Sequence, residues 1–153
     1  PTSASTHAFF RNMTAFTDGL RGLISVGIPQ IDDEHQKLFE CLDVLMLTVN
    51  TPRSDAATAE ILCSLRTYSK THFESEEGLM QACGFPGIAA HKREHLAFID
   101  EIEKFQAQAT GKQANTAQQM TAYLIQWLTS HISNSDKKLA RHLRTSAQVK
   151  GSD

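Results

Sequence analysis

Residues 72–95 read HFESEEGLMQACGFPGIAAHKREH. The stretch holds a His-x-x-x-Glu pair, His72 and Glu76, and a His-x-x-x-His pair, His91 and His95, on either side of a break marked by Gly84, Pro86 and Gly87. On an α-helix, residues four apart differ by about 40° in direction and roughly 6 Å along the axis. Each pair therefore sets two ligand-type side chains on one helix face, and two helices folded back at the break aim both pairs at one volume. A metal ion is the economical explanation of such convergence.

Outward from this hairpin the chain keeps a helical period. Asp32 or Asp33 offers an N-cap for a first helix to about Asn50, with Leu38, Leu42, Leu45 and Val49 on one stripe and His35 on the same line. Pro52 closes it, and Ser54 or Asp55 caps a second helix that runs to about Cys83. Its stripe is Ile61, Leu65, Tyr68, His72, Glu76 and Leu79. The third helix reaches about Thr110 before Gly111, with His91, His95, Phe98, Ile102 and Phe105 in line. Thr116 with Gln119 reads as a capping box for a fourth helix to about Leu143, carrying Leu124, Leu128, His131, Ser135 and Leu139. Nothing alternates with a strand's period, so the class is all-α. Short connections between long helices force antiparallel neighbours, which gives an up-down-up-down four-helix bundle. The expected organisation is an N-terminal arm over residues 1–24, a bundle domain over 25–145 and a frayed tail over 146–153. Within the arm, Phe9, Phe10, Met13 and Phe16 have the spacing of a short amphipathic helix, whereas Gly27 and Pro29 make the approach to the bundle extended.

A chain of 153 residues is long enough to bury a full apolar core in one domain. Fifteen Lys and Arg stand against 17 Asp and Glu with no basic run, which argues against nucleic acid or an anionic membrane surface as partner. No apolar stretch approaches the ~18 residues of a spanning helix, and no signal-type N-terminus is present. A cytoplasmic protein without membrane insertion is expected. The three cysteines, Cys41, Cys63 and Cys83, contain no Cys-x-x-Cys and read as reduced, mostly buried side chains.

A helix stripe facing the core should be apolar, because an unpaired imidazole or carboxylate inside a bundle costs several kcal/mol. Here each of the four helices interrupts its stripe: His35 on the first, His72 and Glu76 on the second, His91 and His95 on the third, His131 on the fourth. Imidazole with carboxylate and no thiolate suits Fe, Zn or Mn. Five imidazoles plus carboxylates exceed the four positions of one structural zinc, and two metals sharing carboxylates fit the count. Asp136 lies five residues after His131, about 140° around an ideal helix. The two cannot share a line, though they can straddle a cluster. His7 and His142 match no motif and read as surface or structural residues, His142 near a helix end where a cation suits the dipole.

The combined spacing resembles the hemerythrin family, specifically the bacterial single-domain hemerythrins, over roughly Ser25 to Leu143. The likeness runs through SVGIPQIDDEHQKLF, HFESEEGLM with GFP, HKREH and WLTSHISNSDKKL. A hemerythrin is itself a type example of the up-down bundle, so fold and resemblance are not independent expectations. The resemblance implies two Fe ions per chain with a bridging oxo or hydroxo group, and O2 as ligand. It assigns His91, His95 and His131 to one iron, His35 and His72 to the other, whose open position takes O2, and Glu76 and Asp136 as bridges. Leu38, Phe73, Trp127, Leu128 and Ile132 resemble the family's O2-pocket lining, in keeping with the need to hold water away from a reactive adduct; each is equally suited to plain core packing. Where family members often carry Trp and a second aromatic ahead of the SVGI stretch, this chain has Leu20 and Ile24.

The function implied is reversible O2 binding by a carrier, a store or a donor to an oxygen-using enzyme, and not catalysis. Two alternatives are an oxygen or redox sensor acting through a separate signalling partner, and a di-iron enzyme reducing peroxide or nitric oxide. Ferritin-like di-iron oxidases use Glu-x-x-His motifs, and no such pair occupies the ligand positions here.

Overall fold

The computed structural model describes residues 18–20, 22, 25–52 and 54–150, with side chains described through residue 147. The amphipathic helix expected around Phe9 to Phe16, and His7, lie outside the described residues, as do residues 151–153. Among the described residues every regular element is helical, as the sequence pattern requires.

Helix α1 spans Pro29–Thr48. It starts at Pro29, whose fixed φ suits a first helical position and whose missing N–H is one that would have no partner there. The expected N-cap at Asp32 or Asp33 is corrected: the N-cap is Ile28, without a side-chain cap. Asp32 instead sits inside the first turn and reaches back. Its carboxylate accepts hydrogen bonds from the N–H of Val26 at 2.8 Å and of Gly27 at 3.0 Å, and from the Ser25 hydroxyl at 2.7 Å. The incoming segment is thus fixed by an acid that also favours the positive end of the helix.

Helix α2 spans Ser54–Cys83. Gly84 follows at φ +64°, a left-handed position that glycine takes at least cost. The N–H of Phe85 then donates to Met80 O at 2.9 Å and that of Gly84 to Gln81 O at 3.3 Å, the paired bonds of a Schellman stop. The buried face of α2 centres on Leu65, Ser69 and Glu76. Tyr68, expected on the core stripe, is therefore turned by about 100° per residue towards solvent and is exposed.

Helix α3 spans Ile88–Thr110 and α4 Thr116–His131. The expected capping box is not formed: Asn115 occupies the N-cap at φ +65° without a side-chain bond, and the Thr116 hydroxyl donates to Gln113 O at 2.9 Å. The fourth helix is also not one uninterrupted α-helix. A π-helical turn over Ile132–Asp136 separates α4 from α5, Lys137–Lys150. The helix thus continues past Leu143 through residues 146–150, where fraying was expected.

Helix α1 packs on α2, α2 on α3, α3 on α4, and α4 closes back on α1. Cross-helix pairs run in opposite order along neighbouring helices, Gln30 with Ser75 and Glu34 with His72, then Glu76 with His91 and Arg66 with Glu103. The neighbours are antiparallel and the architecture is the up-down-up-down bundle. One part of its interior is apolar, built on Leu42, Leu45, Leu65, Ile102, Phe105, Met120 and Leu124. The polar stripe residues occupy the adjoining layers of the same interior. No described helix is long and apolar enough to cross a membrane.

Candidate metal centre

The six stripe-breaking residues and Asp136 come together. His35, His72, Glu76, His91, His95, His131 and Asp136 are all buried, none more than 4% exposed. Their ligand-type atoms fall into two groups, Glu76 with His91, His95 and His131, and Glu76 with His35, His72 and Asp136, and within each group these atoms lie within 4.8 Å of one another. Glu76 belongs to both.

All five imidazoles turn Nε2 inward onto the two carboxylates. Glu76 Oε2 is 3.1 Å from His91 Nε2, 3.1 Å from His95 Nε2 and 3.7 Å from His72 Nε2. Asp136 stands 3.0 Å from His35 Nε2, 3.2 Å from His91 Nε2 and 3.0 Å from His131 Nε2. The sequence placed Asp136 off the His131 line. The π turn removes that obstacle, because widening one turn carries the residue five positions on back towards the starting face.

Proximity does not give satisfaction. His131 Nε2, both nitrogens of His35, both oxygens of Asp136 and Glu76 Oε1 have no hydrogen bond of acceptable geometry, although they are buried. Each such group costs about 1–3 kcal/mol, and a cation among these side chains would offset most of that cost. The electrostatics agree. Burial alone would raise the Asp136 carboxyl, but the imidazoles of His131, His35 and His91 hold it well below the usual carboxylate range. Burial opposes protonation of His91, yet Asp136 and Glu76 push it up to about 9. The interior favours positive charge, and the donor set of nitrogen and carboxylate oxygen suits a first-row divalent metal. The residues present fit a two-metal centre.

An outer layer of carboxylates orients three imidazoles from behind. His72 Nδ1 donates to Glu34 at 3.1 Å, His95 Nδ1 to Glu77 at 3.3 Å and His131 Nδ1 to Glu94 at 2.6 Å. A proton held outward on Nδ1 leaves the Nε2 lone pair facing inward, the tautomer a metal ligand needs. Ser75 and Ser135 donate to Glu34 and Glu94 in turn, at 2.8 and 2.7 Å. Of these five supporting residues the sequence put only Ser135 on an inward stripe, and it gave none of them a role. A signal existed, since Glu34, Glu77 and Glu94 each adjoin a ligand-type residue. An adjacent residue, however, points about 100° away, and each glutamate serves the next helix in the chain, a pairing that only packing defines.

Of the expected pocket residues, Leu38, Phe73, Leu128 and Ile132 are buried in the apolar cluster. Phe73 stacks on His95 at 3.8 Å between ring centroids and Trp127, half-buried, on His131 at 4.3 Å. His142 lies outside the centre, donating from Nε2 to Cys83 O at 3.1 Å, where it satisfies a carbonyl at the end of α2. Of the cysteines, Cys41 is buried, Cys83 half-buried and Cys63 exposed, so the expectation of mostly buried thiols fails at Cys63, which sits on the outer face of α2.

Comparison with known proteins points the same way. Residues 26–143 match the family described as hemerythrin HHE cation binding domain. A protein of Stenotrophomonas maltophilia named bacteriohemerythrin is 30% identical over 121 residues, 79% of this chain and 78% of that one. A hemerythrin of Themiste dyscrita is 33% identical over 108 residues, 71% of this chain and 78% of that one. A crystal structure of wild-type hemerythrin superposes with a TM-score of 0.69 at 30% identity, covering 76% of this chain and 88% of that one.

Proposed function

Because the chain belongs to the hemerythrin HHE cation-binding family, we propose that it binds O2 reversibly at a centre of two non-haem irons and serves as an oxygen carrier, store or donor. The observation that supports this most is the pair of buried ligand groups sharing Glu76. His91, His95 and His131 would hold one iron, His35 and His72 the other, with Glu76 and Asp136 between them. By that count the iron on His35 and His72 has one protein ligand fewer, which is where a small ligand would enter. Two irons held there would supply the two electrons that reversible O2 binding requires.

The chain's own residues do the rest. Glu34, Glu77 and Glu94 fix ring tautomers, so the site needs little rearrangement when a ligand arrives. Leu38, Leu128 and Ile132, with the faces of Phe73 and Trp127, surround the imidazoles with apolar surface and exclude the water that would otherwise trap the metals in the oxidised state. A centre enclosed in this way suits binding and release better than turnover of a larger substrate.

Metal analysis with an optical spectrum of anaerobically reduced protein, before and after air, is the test. Two irons per chain and a visible band that grows in air and vanishes when O2 is removed are expected. Oxidation without a persistent band would favour an enzyme or sensor, and zinc in place of iron would overturn the assignment.

A further inference from the structure

The π turn that delivers Asp136 has a fastening on the neighbouring helix. Glu94, on α3, accepts at one oxygen, Oε2, from His131 Nδ1 at 2.6 Å and from Ser135 Oγ at 2.7 Å. His131 is the last residue before the wide turn and Ser135 is its fourth, directly ahead of Asp136. One carboxylate oxygen therefore grips both ends of the only π-helical turn among the described residues.

The corresponding grip on α2 uses a different oxygen of its carboxylate for each partner, Oε2 for His72 and Oε1 for Ser75, and has a different setting. Glu34 holds His72 and Ser75, again a histidine and a serine, but on a regular α-helix that has no alternative register to choose. In the fourth helix a choice exists. If Ile132–Asp136 relaxed to ordinary α-helix, Asp136 would sit about 140° from His131 and leave the centre.

We propose that Glu94, clamped to His131 and Ser135 at once, is a positioning residue that sets the register of the π turn and so places Asp136 between the two metal sites. This rests on the two-metal reading above. The competing cause is the docking of α5, through buried Leu139 and Ala140 and the bond from Arg144 to Val26 O at 3.0 Å, which would hold the register without Glu94.

Trp127, the chain's single tryptophan, supplies a readout that needs no metal. It stacks on His131 and shares a surface depression with Glu94, Ser135 and Lys138. Glu94 is itself 44% exposed, so loosening the clamp opens this depression towards Trp127. The experiment compares Ser135→Ala with Ser75→Ala, each of which removes one hydroxyl and no ligand, alongside Glu94→Ala and Glu94→Gln. Anaerobic Fe(II) titration and acrylamide quenching of Trp127 in metal-free protein are measured for each. Ser135→Ala and Glu94→Ala should lose roughly 10–100-fold in metal affinity and show raised quenching. Ser75→Ala, which loosens only the Glu34 hold on His72, should cost less affinity than Ser135→Ala and leave Trp127 quenching at the wild-type value, and Glu94→Gln, which keeps the acceptor oxygen, should recover most of the loss. Wild-type affinity and quenching in Ser135→Ala and Glu94→Ala, or equal effects of the two serine changes, would overturn the proposal. Uptake of fewer than two metals by the wild-type chain would instead count against the reading of the centre, and the Trp127 comparison would still decide what Glu94 does.

Discussion

Leu38 lies one helical turn after His35, and Ile132 directly follows His131. Both are core residues whose apolar surface adjoins the centre, so a polar atom placed there would bring water with it. If O2 binds as proposed, replacing Leu38 by Gln or Ile132 by Asn should shorten the lifetime of the oxygenated form several-fold, followed by decay of its visible band in stopped flow. An unchanged lifetime would remove these residues from the pocket. The cysteines give a second test at this scale. Burial, with the neighbouring charge of Glu40, pushes the Cys41 thiol up to about 11, and because only the thiolate is a competent nucleophile, Cys41 should resist a disulfide reagent at pH 8 until the protein unfolds. Cys63, exposed on α2, should react at once. Mass spectrometry of the labelled peptides distinguishes the two.

At the scale of elements, two local devices fix how helices begin and end. A Cβ at Gly84 meets nothing within 4 Å, so Gly84→Ala has no steric conflict and suffers only from its φ of +64°. That strain is about 1–2 kcal/mol, and at this chain length each kcal/mol lowers Tm by roughly 2–4 °C. Asp32→Ala removes three hydrogen bonds that tie residues 25–27 to α1, and a loss of about 1–3 kcal/mol is expected. Thermal melts monitored by circular dichroism check both, and a Gly84→Ala protein as stable as wild type would refute the Schellman stop. The π turn belongs to this scale too. Its residues Ile132, Ser133, Asn134 and Ser135 carry no signal that distinguishes a wide turn from an ordinary one, because in the proposal above the register is set from the neighbouring helix, by Glu94.

At the scale of the molecule, the bundle carries a centre it would not choose for stability alone. Two carboxylates and five imidazoles, buried with several atoms unsatisfied, are stabilising only when a cation joins them. A metal that binds the folded chain and not the unfolded one stabilises it by about 2.7 kcal/mol when its free concentration is a hundredfold above Kd, so removing it should lower Tm by roughly 5–10 °C. Calorimetry before and after treatment with a strong iron chelator measures this. In Glu76→Ala, where the carboxylate common to both groups is gone, the chelator should have little further effect.

Several features follow from the chain alone. The helical period of its apolar residues dictates four long helices, and short breaks at Pro52, at Gly84 to Gly87 and at Gly111 leave antiparallel packing as the way to bury four stripes. The same period shows that His35, His72, Glu76, His91, His95 and His131 face inward, because a polar residue in an apolar stripe is visible wherever the period is. Tertiary structure decided what lies off the stripes. Tyr68 and Ser69 compete for one core position, and the rotation of α2 against its neighbours gives it to Ser69. Asp32 reads as a cap, but the fold of residues 25–27 turns it into their anchor. Asp136 belongs to the centre only through a π turn, and Glu34, Glu77 and Glu94 find their histidines only on the next helix. Period is a property of each helix by itself and is written in spacing, whereas register and cross-helix pairing depend on how neighbouring helices are placed, which no single segment encodes.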